Sequence, residues 1–88
     1  MGFMGLDIVA IRHLSRQLDI QSREVDGAMK EMTNLIAETA WFGADSQRFA
    51  EAWQANRVPE LRNASRLLAE ASQLASRGAI KQENASRS

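Results

Sequence analysis

The sequence predicts an all-α protein, a helix–turn–helix hairpin of two long antiparallel helices. Apolar residues recur with a period near 3.6 along most of the chain, and no run alternates β-branched residues with polar ones. Only one proline, Pro59, interrupts the pattern. A chain of 88 residues is one domain at most, so a single hairpin domain is predicted over residues 1–88.

The first helix is predicted to cover about residues 7–39. Asp7 can cap its start, because the carboxylate accepts a hydrogen bond from an unpaired N–H group of the first turn. The apolar stripe fits an arc of about 120°, which is the width of a core-facing helix side. The stripe consists of Ile11, Leu14, Leu18, Val25, Ala28, Met29, Met32, Leu35 and Ile36.

The second helix is predicted over about residues 44–83, with Asp45 at the positive end of the helix dipole. Pro59 lacks an N–H group and crowds the carbonyl of Ala55, so a kink and a local break in the stripe are expected nearby. The polar tail to residue 88 is expected to fray. The second stripe consists of Phe49, Trp53, Leu61, Ala64, Leu67, Leu68, Ala71, Leu74, Ala75 and Gly78.

Residues 41–43, Trp-Phe-Gly, are predicted to form the turn between the helices. Gly43 can adopt a positive φ or let a backbone pass close by, and thereby end one helix and begin the next. A short connection makes the two helices antiparallel neighbours. Trp41 and Phe42 would then be exposed on a single hairpin. In an assembly of hairpins they can cap the open end of the core or enter a groove of a neighbour.

Stripes of this width exceed the strip that two helices can bury against each other. At roughly 25 cal/mol per Å², an exposed row of several hundred Å² leaves about 10 kcal/mol of burial available. The sequence therefore predicts a second hairpin, identical or related, that completes a four-helix bundle. The candidate interface or core anchors are Leu14, Leu18, Phe42, Phe49, Trp53, Leu67 and Leu74.

Composition disfavours several other classes of protein. The 11 basic and 11 acidic residues cancel, which removes the basic footprint of nucleic-acid binding. A DNA-binding helical regulator is a weaker alternative, since helices this long do not resemble a recognition helix. No stretch approaches the ~20 apolar residues of a membrane span. The amino terminus lacks early basic residues and is a poor secretory signal peptide.

No catalytic or metal-binding constellation is apparent. The chain has no cysteine, and its one histidine, His13, falls opposite the apolar stripe, so the ligands of a metal site are missing. Acidic and serine side chains are spread along the helix surfaces, and a thin hairpin encloses no substrate cleft. We therefore expect no enzyme activity and no cofactor.

Residues 41–86 resemble the WXG100 family, the small early-secreted-antigen-like proteins, in its actinobacterial form. The segment reads WFGADSQRFAEAWQANRVPELRNASRLLAEASQLASRGAIKQENAS. It combines a Trp-x-Gly turn, an acidic first turn, an Arg-Phe pair, a second Trp and a Val-Pro-x-Leu segment. An Ala/Leu-rich helix ending near Gln-x-x-Ala-Ser completes the pattern. Residues 6–40 agree with the family in length and pattern only.

The resemblance implies a hairpin that dimerises, with itself or with a related WXG100 protein, into an antiparallel four-helix bundle. It also implies export from the cytoplasm by a type VII (ESX or Ess-like) secretion system, without a cleaved signal peptide. The secretion ATPase would be a partner. Trp41 and Gly43 would be the turn motif and one half of a bipartite export signal.

The other half of that signal in the family is a Tyr-x-x-x-Asp/Glu motif, and here the chain departs from the pattern. It has no tyrosine; Glu83 is the candidate acidic element, but Ala79 stands four residues before it. In the leading hypothesis the exported dimer acts as a secreted effector or secretion partner. In the alternative, a chaperone or adaptor stays in the cell and pairs with a larger toxin or effector.

Overall fold

The predicted all-α hairpin is confirmed by a computed structural model, which describes the backbone of residues 2–87 and the side chains of residues 8–85. The described residues form a rod of 65 × 16 × 13 Å. Its elements are α1 (Gly2–Thr39), a 3₁₀ turn (Ala40–Phe42), α2 (Ala44–Ala52), a π-helical segment (Trp53–Arg57) and α3 (Val58–Arg87). The second predicted helix is thus α2, the π-helical segment and α3 in succession.

Both long helices extend beyond their predicted ends. α1 begins at Gly2, so Asp7 lies within the helix and does not cap it. α3 continues through Arg87, four residues past the predicted end at 83. No proline interrupts either extension, and the Lys, Gln, Glu and Ala residues of the tail all favour helix. The polar tail is therefore helical as far as the structure describes it.

A kink is expected near Pro59, and the structure has a π-helical segment immediately before it. The N–H group of Val58 donates to the carbonyl of Trp53, five residues earlier rather than four. A proline at position 59 has no N–H group to offer, and its ring crowds the carbonyl of Ala55. The wider turn gives that carbonyl room, and regular α-helix resumes at Val58.

The reversal of the chain depends on the backbone of Gly43. Its φ of 149° and ψ of 176° lie in a region that side-chain-bearing residues rarely adopt. The Gly43 carbonyl accepts a hydrogen bond of 3.1 Å from the N–H group of Gln47, which begins α2. No side chain caps this helix start. Of the two roles expected for Gly43, the structure shows the positive φ, with open space around the position of a Cβ atom.

α1 and α3 meet along a seam whose residues recur every seven positions. These residues are buried or half-buried. A period of seven keeps one line of each helix facing the other along the length of the rod. The seam consists of Ser15, Ser22, Met29 and Ile36 from α1 and Val58, Ser65, Ser72 and Ala79 from α3.

Two reciprocal serine pairs connect the helices across the seam. The Ser15 hydroxyl donates to the carbonyl of Ser72 at 2.8 Å, and the Ser72 hydroxyl donates to the carbonyl of Ser15 at 2.7 Å. Ser22 and Ser65 exchange the same two bonds at 2.8 and 2.9 Å. Such bonds require the two backbones to lie close together, which these small side chains permit. The serine pairs therefore specify both the spacing and the register of the hairpin.

The seam has an approximate internal two-fold symmetry that is also visible in the sequence. Identical residues occur in α1 and, fifty positions later, in α3. Because the helices are antiparallel, Ser15 faces Ser72 and Ser22 faces Ser65. The matching pairs are Arg12 and Arg62, Ser15 and Ser65, Arg16 and Arg66, Leu18 and Leu68, and Ser22 and Ser72.

Candidate protein interaction surface

The apolar stripes of both helices lie beside the seam, on one side of the rod. Val25, Met32, Trp53 and Leu61 share a shallow apolar groove with Ala28 and Met29, which brings both stripes to the same side. We call this side the open face. Helical spacing from these groove residues extends it over Ile11, Leu14, Leu18, Val25, Ala28, Met32 and Leu35 of α1, Phe49 of α2, Trp53, and Leu61, Leu67, Leu68 and Leu74 of α3.

Most predicted anchor residues are exposed on the open face. The exposed fractions are 52% for Leu14, 60% for Phe49, 52% for Leu67 and 64% for Leu74. Leu18 and Trp53 are half-buried. Within one chain the exposed side chains are not core residues, because the seam occupies only one edge of the stripes. The prediction that a single hairpin leaves a row of large apolar side chains in water is thus confirmed.

Trp53 is the open-face residue whose orientation is most constrained. Its indole Nε1–H donates to Thr33 Oγ1 at 2.9 Å, and the Thr33 hydroxyl donates to the carbonyl of Met29 at 2.8 Å. With its polar atom satisfied inside the chain, the ring can offer its apolar surface to a partner. The π-helical segment therefore positions one rigid aromatic at the turn end of the groove.

The other side of the rod is rich in charge. Arg23 pairs with Asp19 at 2.7 Å, and Lys30 pairs with Asp26 at 2.9 Å, each one helical turn apart along α1. Arg62 of α3 and Lys30 line a depression on this side. Solvated ion pairs of this kind contribute little to stability, but they keep a surface soluble. The two sides of the hairpin therefore differ in chemistry: apart from the corner, most exposed large apolar side chains lie on the open face, and Val9, Ile20 and Ile80 are the exceptions.

The corner exposes two large aromatic side chains. Trp41 and Phe42 are 84% and 85% exposed, as predicted for a single hairpin. They project from the 3₁₀ turn just before Gly43, and Trp41 borders a shallow depression with Ala40 and Gln47. Neither aromatic is needed to fill the interior of the chain. The corner is therefore a second candidate contact surface.

Glu83, the candidate acidic element of an export signal, is engaged within the chain. Its carboxylate forms an ion pair with Arg12 of α1, toward the end of the hairpin opposite the turn. Ala79, which occupies the place of the family's tyrosine, is 1% exposed and lies in the seam. A tyrosine side chain at that position would need the helices to separate. The structure thus gives position 79 a packing role.

The described part of the chain contains no recognisable metal centre. Its His, Cys, Asp and Glu side chains form no group of three that could hold an ion, and His13 is exposed. No buried side-chain nitrogen or oxygen in that part lacks a hydrogen-bond partner. No helix over those residues is long and apolar enough to cross a membrane.

Comparisons with protein-family models, with curated proteins and with solved structures gave no match to this chain. The WXG100 resemblance of residues 41–86 is therefore an expectation from the sequence, which these comparisons do not support. In the structure, those residues contribute the exposed Trp41 at the corner and the hydrogen-bonded Trp53 in the groove. They also contribute Val58, a buried seam residue.

The four seam serines are not predicted by hydrophobic periodicity, because serine is polar. The first predicted stripe is therefore centred to one side of the observed contact. Two signals were available in the sequence: small residues at intervals of seven, and the motif Arg-x-x-Ser-Arg-x-Leu-x-x-x-Ser, repeated at positions 12–22 and 62–72. Small residues at constant spacing permit close helix contact, a feature that hydrophobicity alone does not reveal.

Proposed function

We propose that this protein is a WXG100-type pairing module whose open face packs on a second helical hairpin to form a four-helix bundle. A type VII secretion system exports the resulting dimer, which acts as a secreted effector or secretion partner. The observation that carries the proposal is the uncovered row of large apolar side chains along one side of the rod.

The physical case for pairing is the scale of that row. Monomeric soluble proteins rarely expose contiguous apolar patches of more than a few hundred Å². Leu14, Met32, Leu35, Leu67 and Leu74 each keep between 45% and 64% of their surface exposed. Covering such a row contributes roughly 25 cal/mol per Å² removed from water, the main favourable term in most protein associations.

The corner supports a contact with a secretion component, such as the secretion ATPase. Trp41 and Phe42 are largely exposed on the single chain, and the next residue, Gly43, has a backbone conformation that other residues avoid. Large aromatics are favoured anchors of protein interfaces because they bury much area with few rotatable bonds. Capping the end of the bundle is the simpler role, and the two roles are compatible.

The retained chaperone or adaptor is the second candidate function. It is favoured by the absence of tyrosine and by the pairing of Glu83 with Arg12 inside the chain. In that case the open face would pack on a larger toxin or effector. The partner alone would then leave the cell.

One export experiment separates the two functions. The tagged chain is expressed with a functional type VII system and its cognate partner, and both are followed in cytosol and culture filtrate. Export of both, abolished when the secretion ATPase is inactivated, supports the leading proposal. If the partner reaches the filtrate while this chain remains in the cytosol, the chaperone function is correct and the export proposal is wrong.

A further inference from the structure

A row of glutamates borders the open face along α1. Glu24, Glu31 and Glu38 recur every seven residues and are exposed. Each lies three or four positions from Ala28 or Leu35, so these side chains are neighbours on the helix surface. The ion pairs found among the described residues use other carboxylates, so the row meets no cation there.

The opposite edge of the open face, along α3, is different. Leu67 and Leu74 occupy it, both more than half exposed, with Glu60 and Lys81 seven positions beyond them at either end. The open face is therefore asymmetric: it is acidic along α1 and apolar along α3.

This asymmetry disfavours pairing between two identical copies. A closed pair of hairpins has a two-fold axis, which allows two arrangements. With the turns at opposite ends, α1 packs on α1 of the second copy, and the two glutamate rows face each other. Like charges brought together in this way oppose association.

The second arrangement, with the turns at the same end, also gives the glutamates no oppositely charged partner. It places the row of one copy beside Leu67, Glu60 and Arg57 of the other. Arg57 is already bound to both carboxylate oxygens of Glu60, at 3.1 and 3.0 Å. The glutamate carboxylates would be desolvated without forming an ion pair, which is unfavourable.

We infer that the open face binds a different chain, a helical partner whose apolar stripe is bordered by lysines or arginines. Those cations recur about every seven residues, so that they face Glu24, Glu31 and Glu38 along α1. The inference rests on the proposed function in one respect, namely that the open face is the pairing surface. It adds the chemistry of the partner and the residues that select it.

Two variants of the whole chain test the inference. One replaces the row with glutamine (E24Q/E31Q/E38Q), and the other replaces it with lysine (E24K/E31K/E38K). At about 50 mM salt, where screening is weak, we expect the glutamine variant to self-associate about tenfold more tightly than the wild type. An equimolar mixture of wild type and lysine variant should form mixed dimers in excess of either homodimer, and about 500 mM salt should remove that preference.

Sedimentation equilibrium measures the dissociation constants, and tagged copies report the mixed dimers. Glu51→Gln is the matched control, since Glu51 is also exposed and outside the ion pairs, but lies in α2 away from the row. It should leave self-association within about twofold of the wild type. Circular dichroism checks that each variant retains its helices.

Two outcomes overturn the inference, and they differ in what they say about the proposed function. A wild-type homodimer as tight as the glutamine variant, together with statistical mixing, means that the face pairs but the glutamates do not select the partner. No association in any of these samples, at concentrations up to about 100 µM, overturns the pairing function as well.

Discussion

The turn requires glycine at one position, residue 43. Its backbone conformation is strained for any residue with a Cβ atom, although nothing lies within 4 Å of the place where that atom would be. The conflict is therefore between the substituted residue and its own backbone rather than with a neighbour. The Trp-x-Gly corner can exist in this form only because glycine tolerates such a conformation.

Gly43→Ala should lower the free energy of unfolding by about 1–3 kcal/mol, the usual cost of a sparsely populated backbone conformation. Gly27→Ala is the matched control: it lies within α1 with open space around it, and should raise stability by about 0.5–1 kcal/mol. Urea unfolding followed by circular dichroism measures both. Equal stabilities for the two variants would show that the turn does not depend on glycine.

Trp41→Ala should leave the helical content unchanged and shift stability by less than about 0.5 kcal/mol, because the side chain is 84% exposed. Export or partner binding should fall instead. Circular dichroism measures the helical content, and the culture-filtrate export experiment measures export. Loss of helical signal in the variant would make Trp41 an ordinary packing residue.

Trp53→Phe tests the other tryptophan. It keeps an aromatic ring in the groove but removes the hydrogen bond to Thr33, so we expect a destabilisation of about 0.5–1.5 kcal/mol. Thr33→Val provides the reciprocal variant, and the double mutant measures their coupling. If the two single effects add fully, the bond does not contribute to stability.

At the scale of elements, the contact between α1 and α3 is a small-residue seam rather than a leucine zipper. Ser15 and Ser22 bond across it to Ser72 and Ser65, and Ala79 packs at one end. Because serine and alanine occupy these positions, the leucines described in both helices lie outside the seam, and Leu14, Leu35, Leu67 and Leu74 are more than half exposed. The composition of the seam is therefore the reason that the open face is so apolar.

Ser22→Leu should destabilise the hairpin by about 1–3 kcal/mol, since a large side chain between closely spaced helices forces them apart. Ser22→Ala, which removes only the hydroxyl, should cost about 1 kcal/mol. Ser76→Ala on the exposed surface of α3 is the control and should stay within about 0.5 kcal/mol of the wild type. Chemical denaturation measures the free energy of unfolding of the three variants and so ranks their stabilities. A leucine variant as stable as the alanine variant would contradict close packing at this position.

At the scale of the whole molecule, a rod of 16 × 13 Å in cross-section has little interior. The buried apolar side chains among the described residues are Met29, Ile36, Val58 and Ala79. Small domains with so limited a core usually obtain stability from oligomerisation, disulfides or metals, and this chain has no cysteine. In the proposed assembly, covering the open face would add the apolar burial that the seam alone does not supply.

Leu74→Glu should weaken association through the open face at least about tenfold, because it places an unpaired carboxylate in an apolar interface. Gln73→Glu adds the same charge to the adjacent position, on the charged side of α3, and should have little effect. Sedimentation velocity at micromolar concentration distinguishes the two variants when each is made in the E24Q/E31Q/E38Q chain, in which self-association is not opposed by the glutamate row. A wild-type chain that melts sharply as a single, well-packed subunit at that concentration would contradict the need for a partner.

The sequence by itself determined the two long helices, the turn at Gly43, the irregularity before Pro59 and the apolar stripes. These features arise from local backbone preferences and a 3.6-residue period, so neighbours along the chain are sufficient to predict them. The predicted helix ends differ from the observed ones, as the predicted start at Asp7 and the observed start at Gly2 illustrate, because no helix-breaking residue marks them.

Only the tertiary structure decided which line of each helix forms the contact. The Ser15–Ser72 and Arg12–Glu83 pairs join residues 57 and 71 positions apart, and the Trp53–Thr33 bond crosses the turn. Such contacts depend on the rotation and register of one helix relative to the other. Periodicity constrains each helix separately and leaves both of those quantities open. For that reason the seam serines, and with them the full extent of the open face, appear only when the two helices are placed side by side.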